Sequence, residues 1–166
     1  MTPATLLTDS FERIHESGLA VLDGLSEDQL AHRPGPGANS IAWLIWHLTR
    51  VQDDHVADAA GLQQVWAARG FVDAFALDLP ADDTGYGHTL EQAGRVRASS
   101  DQLAAYLSET HRQTIAWVGG LGEEDLDRVV DTSWDPPVTL GVRLVSVIND
   151  DTQHVGQAAY LRGLLA

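Results

Sequence analysis

Three polar side chains in this sequence stand where a packed helix should carry apolar ones. His47 lies within Trp43-Leu44-Ile45-Trp46-His47-Leu48, one turn after Trp43 and one turn before Val51. Asp150 and His154 interrupt a second apolar face, marked by Leu144, Val147, Ile148, Val155, Ala158 and Leu161. On a helix, residues at i and i+4 project from one side, one turn apart. A carboxylate and an imidazole at that spacing is a metal-binding pattern, by the geometry that also serves the two histidines of a zincin helix. One His from one helix and an Asp/His pair from another offer two nitrogens and one oxygen. Three protein ligands leave positions for water or substrate, which is the layout of a catalytic rather than a structural metal site. Zinc suits such a donor set, and nickel, iron and manganese tolerate it.

Plainer readings compete with this one. A histidine on an apolar face is often a hydrogen-bonded core residue, and an Asp/His pair at i, i+4 is often a weak surface pair. Asp151, at i, i+3 from His154, competes with Asp150 as the oxygen ligand. Gln157, one turn beyond His154, is placed to hydrogen-bond a group that supports a ligand. His55 follows His47 by eight residues, about 80° round the helix, where it faces solvent or the mouth of a site. His15, His32, His88 and His111 stand among polar neighbours and read as surface. Trp134 beside Pro136-Pro137 reads as a rigid pocket wall.

Four long helical segments must position these groups. The first runs from about Thr5 to Asp23 on the spacing of Leu6, Leu7, Phe11, Ile14, Leu19, Val21 and Leu22, with Gly24 as its stop. Ser26-Glu27-Asp28-Gln29 reads as a capping box opening one short turn. The Pro- and Gly-rich stretch from His32 to Ala38 cannot be helical. Asn39 or Ser40 caps a second helix from Ile41 to Ala60, whose first turns are apolar nearly all round. From Gly61 to His88 only Leu62 to Arg69 suggests a helix, and Phe71 to Gly87 reads as loop; so long a loop in a compact domain is often functional. Thr89-Leu90-Glu91-Gln92 opens a third helix to about Val118, stopped by Gly119-Gly120. Thr139 caps a fourth, from Leu140 to Leu164. Four long helices without sustained period-two alternation mean an all-α bundle, read as a single domain over residues 1–166.

Composition narrows the chemistry. The net charge is -14, and every basic residue is Arg. Such a surface repels phosphates and anionic lipid heads, so neither nucleic acid nor membrane is expected as a partner. Without Cys, any metal is held by His, Asp or Glu, and any sulfur nucleophile arrives with a small molecule. No stretch approaches a membrane span, and the first residues do not form a signal peptide, so a cytoplasmic location is expected. The apolar helix faces that build a core could equally build a homodimer.

The segment Ser40-Ile41-Ala42-Trp43-Leu44-Ile45-Trp46-His47-Leu48 resembles the second-helix motif of the DinB-like proteins, an apolar run ending in His-Leu. Asn149-Asp150-Asp151-Thr152-Gln153-His154-Val155-Gly156-Gln157 is similar to their fourth-helix motif, commonly Asn-His-Glu-Thr-His-His-Arg-Gly-Gln. Asp150 stands where most members have the first His, as Glu does in the mycothiol-dependent maleylpyruvate isomerases. With the Trp134-Asp135-Pro136-Pro137-Val138-Thr139 lead-in and Arg143-Leu144, this looks closest to the actinobacterial branch with mycothiol S-transferases. A GC-rich style of composition agrees. The resemblance implies an up-down-down-up four-helix bundle with a long loop between helices 2 and 3. It also implies a divalent metal, usually Zn2+, on His47, Asp150 and His154, and a low-molecular-weight thiol, mycothiol, conjugated to a small electrophile. The alternatives are a metal-assisted hydrolase and a metal-binding stress-response protein without turnover.

Overall fold

The computed structural model describes residues 1–165. Its four long helices are α1 (Pro3–Leu22), α3 (Ile41–Ala60), α7 (Ser100–Val118) and α8 (Leu140–Leu164). Short helices α2 (Glu27–Ala31), α4 (Val65–Ala68), α5 (Phe71–Phe75) and α6 (Leu90–Gly94) lie between them. A 3-10 turn at Glu124–Asp127 precedes strands β1 (Val129–Asp131) and β2 (Val138–Thr139), which pair antiparallel with Val129 opposite Thr139.

The helices begin where the sequence supplies caps. Ser40 and Thr139 accept from the backbone N–H groups of Trp43 and Val142 and start α3 and α8. Each such cap is worth about 1 kcal/mol. The Ser26/Gln29 box opens α2, and Thr2 with Pro3 at the first helical position starts α1 somewhat earlier than the apolar spacing suggests.

The third helix differs from expectation. The Thr89 box opens only the short α6, and Ser99 with Gln102 forms a second capping box that starts α7. Between them Val96 and Ala98 are buried in non-helical backbone. Burial of these two side chains, together with a fresh cap, favours two helices over one.

Each long helix packs chiefly on two of the others: α3 on α8 and α7, α1 on α7 and α8. Side-chain pairs fix their directions. Ser100 meets the Leu22 carbonyl and His15 meets Ser108, so α1 and α7 are antiparallel. Gly18 permits their close approach, since a Cβ there would lie 2.6 Å from Leu107 Cδ2. His55 meets Arg143 while His47 faces His154, so α3 and α8 are antiparallel. Arg162 donates to the Val21 and Asp23 carbonyls, so α1 and α8 run parallel. One connected core fills the centre, from Leu7 on α1 through Leu44 and Leu48, Leu103 and Leu107, to Leu144 and Ala158.

The 61–88 connection is tied down by polar contacts. Arg50, completely buried on α3, donates to the carbonyls of Asp83 and Asp82, to Gln64 and to the Tyr106 hydroxyl, and its guanidinium lies over the Trp66 ring. Asp53, one turn along, accepts from the Val65 and Trp66 N–H groups and from Tyr106. A buried cation is tolerated only when its donors are satisfied; here the satisfaction comes largely from the connection it holds.

Candidate metal centre

On the α3–α8 seam, His47, Asp150 and His154 come together: one donor atom from each lies within 4.8 Å of the other two. The periodicity of the two helices accounts for this. His47 faces inward with the apolar side of α3, and Asp150 and His154 are one turn apart on α8. The imidazoles of His47 and His154 meet edge to face, with centroids 4.8 Å apart and planes at 74°. His47 is buried, whereas Asp150 and His154 are half-buried, so the group opens on the α8 side.

Both ring orientations are fixed. His47 Nδ1 donates to the Thr84 carbonyl at 2.5 Å, and His154 Nδ1 donates to the Asp150 carbonyl at 2.8 Å. In its neutral form each ring therefore presents a lone pair on Nε2, the form a metal requires. Asp150 Oδ2 lies 3.2 Å from His154 Nδ1, yet it is buried and accepts no hydrogen bond. A carboxylate oxygen without an aligned hydrogen-bond donor, beside two imidazoles, is a donor set that suits a divalent cation.

The electrostatics favour the ligand form at His47 and Asp150 and oppose it at His154, where a cation must displace a proton. Burial pushes the pKa of His47 down, against the Thr84 hydrogen bond, and so favours the neutral ligand form. Burial opposes protonation of His154 too, but Asp150 outweighs it and raises its pKa above the ordinary histidine value. Burial would raise the Asp150 carboxyl, yet His154 and then His47 hold it below the usual range. Asp150 is thus an anion ready to accept a cation.

Asp151 does not join them. Its carboxyl is fully buried on another side of α8, neither oxygen is hydrogen-bonded, and burial pushes its pKa well above the carboxylate range. Gln157 is exposed, and no side-chain hydrogen bond ties it to the three among the described residues. His55 is half-buried and accepts from Arg143, which also pairs with Asp131 at 2.8 Å. These groups line a cleft of about 440 Å³ with Asp54, Asp58 and Gln64. Trp134 is 68% exposed.

The histidines read as surface divide. His32 is exposed. His111 is buried and His15 half-buried, their rings stacked 4.2 Å apart across the α1–α7 seam. His88 has only 4% of its side chain exposed. It accepts from the Trp43 indole N–H at 3.1 Å through Nδ1 and donates to Asp83 at 2.9 Å through Nε2. Trp43 in turn stacks on His47, centroids 4.5 Å apart.

Sequence reading missed this surrounding shell. Arg50 and Asp53, charges set into the inner part of α3, carried the same signal as His47 and could have been found by it. Asp83-Thr84-Gly85 is a turn signature, Asp followed two residues later by Gly, and Asp83 indeed accepts from the Gly85 N–H at 2.7 Å.

The chain belongs to the DinB superfamily, whose family model matches residues 10–158. It is similar to a conserved protein from Enterococcus faecalis of known crystal structure, with 34% identity over 98% of this chain and 96% of that one, and a TM-score of 0.90. A DinB-like protein from Bacillus cereus shares the fold at 18% identity, with 93% of this chain and 87% of that one covered and a TM-score of 0.57. No curated protein matches the chain. Among the described residues, no helix is long and apolar enough to cross a membrane.

Proposed function

We propose that this protein is a metal-dependent thiol S-transferase that joins a low-molecular-weight thiol to a small electrophile. The observation that carries the metal part is the convergence of His47, Asp150 and His154 around the buried Asp150 oxygen. The thiol part is supported by the absence of Cys, which leaves the sulfur to a co-substrate, and by a carboxylate at position 150, as in the mycothiol-using branch the sequence resembles. The proposal extends to Zn2+ as the ion, mycothiol as the thiol and an actinobacterial source. It also extends to a single-domain, up-down-down-up four-helix bundle in the cytoplasm, with Val142, Val145 and Tyr160 on α8 exposed for a homodimer.

A divalent cation at this site would supply Lewis-acid stabilisation of an anionic nucleophile at neutral pH. His47 and His154 would hold it as neutral nitrogen donors, and Asp150 would offset one unit of its charge. Thr84 and the Asp150 carbonyl keep both rings in the required tautomer. Burial of His47 under Trp43 and Gly85 excludes water from the α3 side, so reactants approach from the side of Asp150 and His154.

The test is conjugation of mycothiol to a chloroarene or a bimane by metal-loaded protein, with His154→Ala as control. Thioether formation that needs both thiol and intact His154 supports the proposal. Thiol-independent ester or amide cleavage would make the protein a hydrolase. Metal bound with neither activity would make it a binding protein.

A further inference from the structure

We infer that Asp83 is a positioning residue for His47, acting through two routes that meet on the imidazole. The inference rests on the metal reading of His47, although part of its test does not.

The first route is the backbone. Asp83 accepts from the Gly85 N–H at 2.7 Å, closing a turn over Thr84. Closing the turn aims the Thr84 carbonyl at His47 Nδ1, 2.5 Å away. Gly85 sits in the left-handed region at φ 87°, and a Cβ there would lie 2.8 Å from His47 Nδ1 and 3.0 Å from Trp46 Cζ3. The turn thus rests on the ring it orients, and only glycine fits. Arg50 anchors the same turn from below through the Asp83 carbonyl at 3.0 Å, and Trp66 Nε1 holds the Ala81 carbonyl at 2.9 Å.

The second route is a side-chain chain. The Trp43 indole can only donate, so His88 Nδ1 must accept and His88 Nε2 must carry the proton it gives to Asp83. This fixes the tautomer of His88 and the plane of Trp43. Trp43 lies nearly parallel to His47, at 16°, and covers one face of it. His47 is therefore held in its plane by Thr84 and along its face by Trp43, and both constraints lead back to one carboxylate. Burial works against the charge on Asp83, but His88 and the Gly85 N–H outweigh it and keep the carboxyl ionised.

Metal-ligating histidines depend on such partners, and losing them weakens affinity by ~10–100-fold. The structure offers Asp83 no surface ion pair that would explain it otherwise: its side chain is 14% exposed, and its only side-chain partners among the described residues lie in this turn and its His88 neighbour.

The experiment uses the full chain. Zn2+ affinity is measured by competition with a chromophoric chelator, and Co2+ spectra report the ligand field. Asp83→Ala should bind Zn2+ ~10–100-fold more weakly and alter the Co2+ bands, with helix content retained. Asp83→Asn keeps one acceptor oxygen and should fall between. In metal-free protein, nitrogen-15 correlation spectra of the imidazoles should show His47 protonated at Nδ1 in wild type and a tautomer mixture in Asp83→Ala. If Asp83→Ala does not fold, Asp83→Ser, whose shorter side chain cannot reach both Gly85 and His88, takes its place, and His88→Phe, which removes only the hydrogen bonds of the second route, separates the two routes. Unchanged affinity and an unchanged His47 tautomer overturn the inference. No uptake of metal by wild type sinks the metal reading instead, and the tautomer then decides the positioning role alone.

Discussion

Two seams on opposite sides of this protein each bring two histidines together, and only one of them has the geometry of a candidate ion site. On the α3–α8 seam His47 and His154 meet edge to face at 74°, beside the Asp150 carboxylate. On the α1–α7 seam His15 and His111 stack at 4°, and His15 bonds to Ser108. An imidazole lone pair lies in the ring plane. Rings at a large angle can aim two lone pairs at one point, whereas stacked rings keep theirs in parallel planes that never meet. The carboxylate adds the second difference. Beside Asp150 the pKa of His154 rises, but burial and then His15 depress His111 to about 4. Proximity of histidines is therefore not what makes a site; ring angle and an anion are.

The sharpest break of this comparison is removal of one ligand on each seam. His47→Ala or His154→Ala should abolish uptake of about one equivalent of metal, measured by elemental analysis of protein purified without a tag. His15→Ala and His111→Ala should leave uptake unchanged. Metal retained in His154→Ala, or lost in His111→Ala, would reverse the assignment of the seams.

The second test is acid stability, where the seams should act with opposite signs. The folded pKa of His111, about 4, lies below its unfolded value, so protons bind the unfolded chain more tightly. Its contribution is complete above pH ~6.5 and lost as pH falls toward ~4, at most about 3 kcal/mol for a shift of that size. Glu12 and Glu16 on α1 partly counter this by favouring a charged His15. His154 works the other way in metal-free protein: its raised pKa gives stability present below pH ~6.5 and lost as pH rises through the folded value. Urea titrations across pH should show His111→Gln flattening the acid slope and His154→Gln flattening the change above neutrality. A His111→Gln protein with the wild-type acid slope would remove the α1–α7 pair from the account.

The two seams were not equally legible. Helices α3 and α8 announce themselves through apolar spacing and the caps Ser40 and Thr139, and their three misplaced polar residues are the ones the fold brings together. His111 was misread because its neighbours in the chain, Arg112 and Gln113, are polar. Its neighbours on the helix face are Leu107, Thr114 and Ile115, and that stripe is the one that packs. His88 was misread for a different reason. The connection before it is held by the carbonyls of Ala81, Asp82, Asp83 and Thr84. A carbonyl has no residue identity, so no pattern of side chains could reveal those contacts. The break between α6 and α7 was legible in principle, since Ser99-Ser100-Asp101-Gln102 repeats the form of the Thr89 box.

The smallest effect comes from the finest comparison, two adjacent carboxyls on α8. Asp150 and Asp151 differ by about 100° round the helix, and that rotation decides everything about them. Asp150 reaches two imidazoles and is held below the usual carboxylate range. Asp151 enters the core, finds no partner for either oxygen, and is pushed well above that range by burial and then by Asp150. A group whose folded pKa is raised stabilises below its unfolded value and costs stability above it. Asp151→Asn removes the charge penalty but still buries an amide, so the net gain at pH 7 should be about 1–3 kcal/mol. That corresponds to several degrees in Tm for a chain of this size. The gain should shrink as pH falls toward ~4, where the aspartate becomes neutral in the unfolded chain as well. Metal uptake should not change. A loss of stability in Asp151→Asn at pH 7 would mean that the buried carboxylate has a partner in solution, and would place a cation or a donor on the core side of α8.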